Sequence, residues 1–402
     1  MDSITLRPYQ KEAVKAWSET SKGVLHMATG TGKTFTALKI ISNTDKRYIV
    51  IACPTQVLMD QWEKDIQDGF EDEESQIQNI LKMPRDESTL KSILLRDTNS
   101  KIVVLTTHTS FLRTLILFDH QELLVVGDEV HGLGAKSIRD EVLPSNYPTT
   151  LGLSATPERL EDSEGNQFIR KLFGNVVYRY TLGQAIEDDY LSRYTYIYTT
   201  VSLTSDESNE YDNYTRRISI EMSKKKPDTD KIQTMRVNRA RIIKKAKGKI
   251  EVLEKIYRDI CRRKSDLRCL VFCAENTQLN NASRRFLQLG EVKMDKIGSQ
   301  TLEVDREEII RDFSKGHIRF LLSMNVLSEG ISVNSANSAI LLSNTSNPRE
   351  YIQRRGRILR THEGKSMNLL YDVLVSKDDE VLESEKKRLK VFSQDAHKTV
   401  EL

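Results

Sequence analysis

The chain has 402 residues, of which 38% are hydrophobic and 30% charged, and its formal net charge is +3. These values are typical of a globular protein with two or three domains. The sequence has no apolar run of the roughly 18 residues that span a bilayer and no signal-peptide pattern at its N-terminus. We therefore expect a cytoplasmic or nucleoid-associated protein with no membrane contact.

The first motif in chain order is a glycine-rich turn at 27–34, between a short apolar run and a predicted helix at 35–41. Such a turn points several backbone N–H groups into one concavity, and the helix dipole adds positive potential, so the two together form a phosphate cradle. Lys33 is placed to reach the β- and γ-phosphates of ATP, and the Thr34 hydroxyl is placed to bind Mg²⁺. The residues expected to hold the nucleotide are Thr29, Gly30, Thr31, Gly32, Lys33 and Thr34. Met27 stands where the common pattern has its first glycine.

Short apolar runs then alternate with helical patterns, such as those at 9–20 and 54–69, in two parts of the chain. This alternation indicates a parallel sheet that is covered on both faces. The predicted strands are 48–53, 102–107, 123–127 and 151–153, followed by 269–273, 292–297, 319–323, 339–343 and 367–371. The predicted fold class is α/β, with two parallel-sheet domains in tandem and a helical insertion between them.

We predict four segments along the chain. They are an ATP-binding domain at 1–190, a linker with a basic helical insertion at 191–263, a second domain at 264–375 and a charged C-terminal helix at 376–402. Between residues 224 and 268 there are 17 Lys and Arg residues against six Asp and Glu. This local excess is compatible with a contact to a polyanion and equally with a solvated helix face.

An acidic pair ends the predicted strand at 123–127. Asp128 is placed to hold Mg²⁺ and Glu129 to position or deprotonate an attacking water, because carboxyl ends of parallel strands face the nucleotide crevice. A solvated strand end is the alternative. His131 is expected to relay between this pair and the next motif, although a structural histidine is also open. Ser154 and Thr156 follow another apolar run, from which their hydroxyls could bond across to the acidic segment.

Four arginines surround one glycine in the segment 353–360, which begins with Gln353. Guanidinium groups stay charged and bind phosphate through two hydrogen bonds. Arg357 and Arg360 share one helical face, so we expect them to act as arginine fingers on the γ-phosphate. A basic surface helix is the alternative.

The four cysteines, Cys53, Cys261, Cys269 and Cys273, contain no CxxC pair. Reduced, buried thiols are the expected state. A zinc site that uses the last three is the alternative, which the apolar strand between Cys269 and Cys273 disfavours.

In their order along the chain, these blocks resemble the motifs of superfamily 2 helicases and translocases. The matching blocks are Gln10, 30–34, 128–131, 154–156, 329–331 and 353–360. Within the superfamily the chain is most similar to the XPB-type branch, from about residue 6 to about residue 371. The resemblance implies two RecA-like domains that hydrolyse ATP with Mg²⁺ and move on DNA.

The resemblance also implies roles for single residues. Arg7 and Gln10 would form the adenine pocket, Gly330 would contact the nucleotide, and Glu329 would couple the nucleotide to the bound strand. The expected catalytic set is Lys33, Asp128, Glu129, Gln353, Arg357 and Arg360. The expected nucleic-acid contacts are Pro54, Thr55, Thr106, Thr107, Asn325 and Ser328, with Arg241, Lys244 and Lys245 of a thumb-like insertion at 224–249.

Two positions depart from the family pattern. Ser332 stands where relatives often have an aspartate that contacts ribose, and a leucine separates Arg159 from the acidic pair that often follows it in the XPB branch. The expected function is an ATP-dependent DNA helicase or duplex-DNA translocase, with DNA repair as an extrapolation and a partner protein that supplies target choice. The alternatives are a motor subunit of a restriction or defence assembly and an RNA helicase.

Overall fold

The computed structural model describes residues 5–69, 77–96, 101–140, 146–159, 162–263, 266–324, 335–343, 351–352, 355–356, 359 and 367–402. The chain divides into two compact units, Met1–Asp188 and Asp189–Leu402, and each unit contains its own sheet. The predicted α/β class with two parallel-sheet domains in tandem is confirmed.

The first unit contains seven described strands: β1 (Lys22–Met27), β2 (Tyr48–Cys53), β3 (Ile77–Lys82), β4 (Lys101–Thr107), β5 (Leu123–Asp128), β6 (Thr149–Ser154) and β7 (Val176–Tyr180). Their order in the sheet is β3-β4-β2-β5-β6-β1-β7, and all neighbours are parallel. The described helices are α1 (Pro8–Ser18), α2 (Lys33–Asn43), α3 (Gln56–Gly69), α4 (Glu87–Arg96), α5 (Phe111–Leu115), α6 (Lys136–Arg139), α7 (Ser163–Phe173) and α8 (Leu182–Glu187), with a 3₁₀ helix at Val130–Gly134.

The middle strands of this sheet are apolar along nearly their whole length. All six residues of β2 are buried, and so are the first five of β5. Strands are apolar on both faces when helices cover both sides of a parallel sheet, and this is why the sequence shows unbroken apolar runs rather than alternation. The parallel arrangement brings the carboxyl ends of β1, β2, β4, β5 and β6 to one edge of the sheet.

The second unit has the strands β8 (Tyr194–Ser202), β9 (Cys269–Phe272), β10 (Met294–Ile297), β11 (Phe320–Ser323), β12 (Ser338–Leu341), β13 (Asn368–Lys377), β14 (Glu380–Val381) and β15 (Lys398–Glu401). Their order is β10-β11-β9-β12-β13-β8-β15 with parallel neighbours, and β14 pairs antiparallel with β13. The described helices are α9 (Ser205–Met222), α10 (Thr229–Lys245), α11 (Gly248–Glu251), α12 (Leu253–Arg263), α13 (Asn276–Gln288), α14 (Glu303–Lys315) and α15 (Glu383–Gln394).

Two parts of this unit differ from the sequence-based expectation. Strand β8, inside the segment predicted as a linker, pairs with β13 along nine residues. The tyrosines and threonines of β8 make it less apolar than the other strands, yet Tyr194 and Tyr196 are fully buried. The charged segment 376–402 also belongs to this unit, because α15 buries Phe392 and β15 pairs with β8.

The insertion is helical, as predicted. Helices α9 and α10 pack against each other through Ile218, Ile232 and Met235, with Tyr214 beside them. The α9 helix begins at a capping box in which Thr204 accepts from the N–H of Glu207 and the Glu207 carboxylate accepts from the N–H of Thr204. Such a cap stabilises a helix start by about 1 kcal/mol.

Candidate nucleotide-binding and catalytic site

The glycine-rich turn connects β1 to the start of α2. Gly30 and Gly32 have φ angles of 88° and 76°, in the left-handed region that glycine adopts without a steric penalty. A Cβ atom at Gly32 would lie 2.5 Å from Nε2 of Gln10. The α2 helix begins at Lys33, so its first N–H groups, which have no intrahelical acceptor, face this turn. The turn therefore has the geometry of an anion site.

The side chain of Gln10 holds the backbone of this turn in place by hydrogen bonds. Its Nε2 donates to the carbonyls of Thr31 (3.2 Å) and Gly32 (3.1 Å), and its Oε1 accepts from the backbone N–H of Arg7 at 2.9 Å. The hydroxyl of Tyr9 donates to the Thr31 carbonyl at 2.8 Å. Gln10 is buried and Arg7 is exposed. Gln10 thus fixes the shape of the cradle, a contact that the sequence analysis did not anticipate.

Strand β5 brings the acidic pair opposite this turn. Nζ of Lys33 lies 3.9 Å from Oε1 of Glu129 and donates to the Met27 carbonyl at 3.4 Å. Oδ1 of Asp128 accepts from the N–H of Glu129 at 3.0 Å, and its Oδ2 accepts from Nε1 of Trp62 at 3.0 Å. Glu129 has a φ of 46°, which costs an ordinary residue of order 1–3 kcal/mol and is common at functional sites.

The pKa values of the two carboxyls are shifted in opposite directions. Burial and the neighbouring Glu129 carboxylate raise the pKa of Asp128 to about 6. Burial acts in the same direction on Glu129, but Lys33 and His131 outweigh it and lower the pKa of Glu129 to about 2. Glu129 is therefore a charged acceptor at neutral pH. A cation beside Asp128 would lower the pKa of Asp128, because it stabilises the ionised form.

Glu129, His131, Ser154 and Thr156 form one hydrogen-bonded group. Oγ of Ser154 donates to Oε2 of Glu129 at 3.1 Å and accepts from the N–H of Thr156 at 3.1 Å. Nδ1 of His131 lies 3.2 Å from the Ser154 oxygen and 3.4 Å from Oε2 of Glu129. The structure thus brings the two predicted segments together around the carboxylate of Glu129.

Arg159 adds a further link to this group. Its Nη1 donates to the carbonyl of His131 at 2.6 Å, and its Nε donates to Oδ2 of Asp162 at 2.6 Å. Asp162 also caps helix α7 by accepting from the N–H of Gly165. Residues 160 and 161 lie outside the described residues.

The expected nucleic-acid contacts of the first unit lie at the carboxyl ends of β2 and β4. Pro54 and Thr55 are half-buried. Thr106 is fully buried and its hydroxyl bonds to that of Thr114 at 3.1 Å, so it presents no hydroxyl to solvent. Thr107 is half-buried. Of the two threonines, Thr107 is therefore the one that a bound strand could reach.

The insertion carries three of the expected nucleic-acid contacts, Arg241, Lys244 and Lys245. Arg241 is exposed, Lys244 is half-buried, and Nζ of Lys245 lies 2.5 Å from Oε2 of Glu275. Lys249, at the end of the predicted basic stretch, is 1% exposed. It lies near the charged side chains of Glu385, Arg388 and Asp372, and burial lowers its pKa to about 8. Lys249 thus lies apart from the predicted contacts Arg241, Lys244 and Lys245, because α10 ends at Lys245 and the chain then turns into the core.

Seven of the predicted site residues lie outside the described residues. They are Asn325, Ser328, Glu329, Gly330, Gln353, Arg357 and Arg360. Arg355, from the same arginine-rich segment, is buried; its Nη1 donates to the hydroxyl of Tyr194 at 3.1 Å and lies 3.0 Å from Oδ2 of Asp395. This arginine therefore holds the C-terminal segment against β8.

Sequence reasoning missed two residues that contact Asp128. Trp62 is 2% exposed, and His108, which follows β4, is 7% exposed with its Nε2 2.9 Å from the Asp128 carbonyl. A buried indole N–H needs an acceptor, so Trp62 carried a signal, but the sequence did not identify the acceptor. His108 carried no comparable signal.

The residues of this site suit Mg²⁺ in the way that phosphate-binding sites usually do. Mg²⁺ keeps several waters and takes one or two protein oxygens together with substrate phosphates. Thr34 at the start of α2 and Asp128 at the end of β5 could supply those oxygens.

Among the described residues there is no cluster of three His, Cys, Asp or Glu side chains that could hold a metal ion. The four cysteines form no disulfide.

Comparisons with known families match both units. Residues 3–159 match the family described as Type III restriction enzyme, res subunit, and residues 248–362 match the helicase conserved C-terminal domain. The DNA 3'-5' translocase XPB2 of Sulfurisphaera tokodaii is 28% identical over 387 residues, which are 91% of this chain and 81% of that protein.

No helix within the described ranges is long and apolar enough to cross a membrane.

Solved structures share the fold. The type ISP restriction-modification enzyme LlaBIII bound to DNA aligns with a TM-score of 0.68 and 18% identity over 99% of this chain, which spans only 31% of that enzyme. The Pyrococcus furiosus Hef helicase domain aligns with a TM-score of 0.61 and 16% identity, covering 98% of this chain and 99% of that domain. The two sheet domains are therefore RecA-like domains in tandem.

Proposed function

We propose, from the premise that this chain is a superfamily 2 helicase or translocase of XPB-like sequence, that it couples ATP hydrolysis to movement along duplex DNA. The observation that carries the catalytic part is the meeting of Lys33 and Glu129 beside a helix N-terminus. The Lys33 cation, the Glu129 carboxylate and the anion cradle are three of the parts that phosphoryl transfer to water uses.

Each residue of the first unit then has a task. The turn 30–34 binds the phosphates, and Lys33 neutralises charge on the β- and γ-oxygens. Glu129, which is ionised at neutral pH, orients the attacking water and accepts its proton. Thr34 and Asp128 would hold Mg²⁺, which when bound neutralises charge on the phosphate oxygens.

We assign Arg357 and Arg360 to the γ-phosphate as arginine fingers, with Gln353 beside them, on the strength of their spacing in the sequence. Such guanidinium groups stabilise charge in the transition state. Gly330 is proposed to contact the nucleotide and Glu329 to couple it to the strand. These assignments belong to the proposal, and so do the contacts of Asn325 and Ser328 with nucleic acid.

DNA is the proposed track because the XPB2 relative is named a DNA translocase. Thr55 and Thr107 lie at the same sheet edge as the acidic pair, where a backbone phosphate could bind them. The α9–α10 hairpin is proposed as a basic grip, through Arg241, Lys244 and Lys245. Contacts of this kind to phosphate are independent of sequence and weaken with salt.

Two observations favour the second candidate, a motor that works within a restriction assembly. The match over residues 3–159 is to a restriction-enzyme subunit, and the LlaBIII enzyme shares the fold. In that case a partner protein would supply the nuclease and the target choice. Co-purification from the native host distinguishes an assembly from a motor that acts alone.

The decisive experiment measures ATP turnover without nucleic acid and with single-stranded DNA, duplex DNA, forked DNA or RNA, each across a salt series. Stimulation by duplex DNA that declines with salt supports the proposal. Stimulation by RNA alone would replace the DNA assignment with the RNA-helicase alternative.

A further inference from the structure

His108 joins the end of β4 to the acidic pair. Its Nε2 lies 2.9 Å from the carbonyl oxygen of Asp128, and because a carbonyl only accepts, Nε2 carries the proton. Its own backbone N–H donates to the Cys53 carbonyl at the end of β2. His108 therefore ties together three adjacent strands, β2, β4 and β5, at the edge that carries the site.

The hydrogen bond from His108 acts on the peptide group between Asp128 and Glu129. The carbonyl of this group accepts from His108, and its N–H donates to Oδ1 of Asp128 at 3.0 Å. Both polar atoms of the peptide are thus fixed, directly before the left-handed φ of Glu129. The next turn is held as well, since the N–H of Gly132 donates to the Glu129 carbonyl at 2.8 Å.

The imidazole also fits closely against the turn that follows Glu129. A Cβ atom at Gly132 would lie 2.6 Å from Nδ1 of His108, so only glycine leaves room for the ring. Burial lowers the pKa of His108 to about 4, and the ring therefore stays neutral across the physiological range. A neutral ring that is closely packed keeps its one N–H, at Nε2, directed at the Asp128 carbonyl.

The residue before His108 is Thr107, whose hydroxyl lies 3.0 Å from that of Thr109. Thr107 is the accessible one of the two threonines proposed to contact a nucleic-acid phosphate. A displacement of Thr107 by a bound strand would move His108, and His108 would move the peptide that orients Glu129. The proposed phosphate contact at Thr107 is thus connected to the Asp128–Glu129 peptide through one residue, His108, and one hydrogen bond.

We propose that His108 is a positioning residue that transmits nucleic-acid contact at Thr107 to the carboxylate of Glu129. This inference rests on the proposed function, since it requires a nucleic-acid-stimulated ATPase. The competing explanation is that His108 only packs the strand ends together.

The test uses three variants of the full chain: His108→Gln, His108→Asn and His108→Ala. A glutamine amide can place a donor close to the position of Nε2, whereas the shorter asparagine cannot reach it. His120→Asn is the matched control, because His120 is 41% exposed in the same unit. For each variant, turnover with and without duplex DNA, the ATP dissociation constant and the melting temperature are measured.

We expect His108→Asn and His108→Ala to lower the ratio of DNA-stimulated to DNA-free turnover by roughly tenfold, within the usual range of coupling between sites. His108→Gln should restore most of the ratio, and ATP affinity should change by less than about twofold. A packing role predicts that Gln is as harmful as Asn, or that both turnover rates fall equally, and either result overturns the inference. If His108→Ala does not fold, the comparison of Gln with Asn decides.

The wild-type protein separates this inference from the function on which it rests. If no nucleic acid stimulates wild-type turnover, the proposed function fails and the inference fails with it. If the wild type is stimulated and His108→Asn keeps the full ratio, the proposed function stands and only the inference is overturned.

Discussion

The indole Nε1 of Trp62 donates to Oδ2 of Asp128 over 3.0 Å, so the proposed Mg²⁺ ligand is held by a residue of helix α3. This hydrogen bond lowers the pKa of Asp128 against the larger effect of burial, which raises it. The orientation and the charge of the carboxylate both depend on it.

Trp62→Phe removes this donor and should weaken the response to Mg²⁺. Loss of the bond raises the pKa of Asp128 further and releases the carboxylate, and losses of this kind cost roughly 10–100-fold in metal affinity. The measurement is ATP turnover against Mg²⁺ concentration at fixed ATP.

Trp17→Phe is the matched control for that experiment. The Trp17 indole is also buried, and its Nε1 donates to the Thr150 carbonyl at 2.9 Å, away from Asp128. It should leave the Mg²⁺ response unchanged. Equal Mg²⁺ curves for Trp62→Phe and the wild type would contradict the role assigned to the indole.

Glu129→Gln should preserve ATP binding and reduce turnover by a factor on the order of a hundred or more, because the amide cannot accept a proton from water. ATP affinity by equilibrium binding and turnover in a steady-state assay separate the two effects. Glu122→Gln, at an exposed position just before β5, is the control. Turnover in Glu129→Gln that matches the wild type would exclude Glu129 as the base.

The raised pKa of Asp128 predicts how stability depends on pH. Between the ordinary carboxyl value of 3.8 and the folded value of about 6, the folded protein binds the proton more tightly than the unfolded chain does. Ionisation of this buried group therefore costs stability as pH rises through that window. Asp128→Asn avoids this cost.

We therefore expect Asp128→Asn to be more stable than the wild type at pH 7.5, by roughly 1–3 kcal/mol, while losing its activity. The advantage should disappear below about pH 4, where Asp128 is protonated in both states. Thermal unfolding of both proteins at the two pH values measures the difference. A variant that is less stable than the wild type at pH 7.5 would show that the negative charge on Asp128 stabilises the fold.

The basic grip can be tested by replacing Arg241, Lys244 and Lys245 together with Gln. Each lost phosphate contact should reduce the slope of log affinity against log salt by roughly 0.9 for duplex DNA. The control neutralises three lysines of α15 that are exposed, namely Lys386, Lys387 and Lys390. If affinity and slope stay at the wild-type values, the hairpin is a spacer.

Arg388 of helix α15 bonds two carboxylates, that of Asp372 in strand β13 and that of Glu385 in the same helix. Its guanidinium bonds both oxygens of Asp372, at 2.8 and 3.1 Å, and both oxygens of Glu385, at 2.6 and 2.8 Å, and all three residues are buried. Arg388→Ala removes the buried cation from two buried carboxylates, a loss that typically costs about 3–5 kcal/mol. Denaturant unfolding of this variant beside Lys387→Ala gives the difference, and similar stabilities would refute the structural role.

Much of the fold could be predicted from the sequence because its signals are local. The apolar run at 48–53 is strand β2, and the runs at 102–107 and 123–127 fall within β4 and β5. The turn at 30–34 is recognisable because glycine is the residue that adopts the left-handed angles seen there. Residues of this kind report on backbone conformation within a few positions of themselves.

Contacts between distant segments depended on the tertiary structure. Trp62 reaches Asp128 from helix α3 and His108 reaches it from the end of β4. Strand β8 is a strand because it pairs with β13, far along the chain. The sequence specified the residue types at the catalytic edge, since the chemistry of phosphate binding allows few choices. Which side chains orient the acidic pair was decided by packing, because those bonds form only when the sheet has brought the strand ends together.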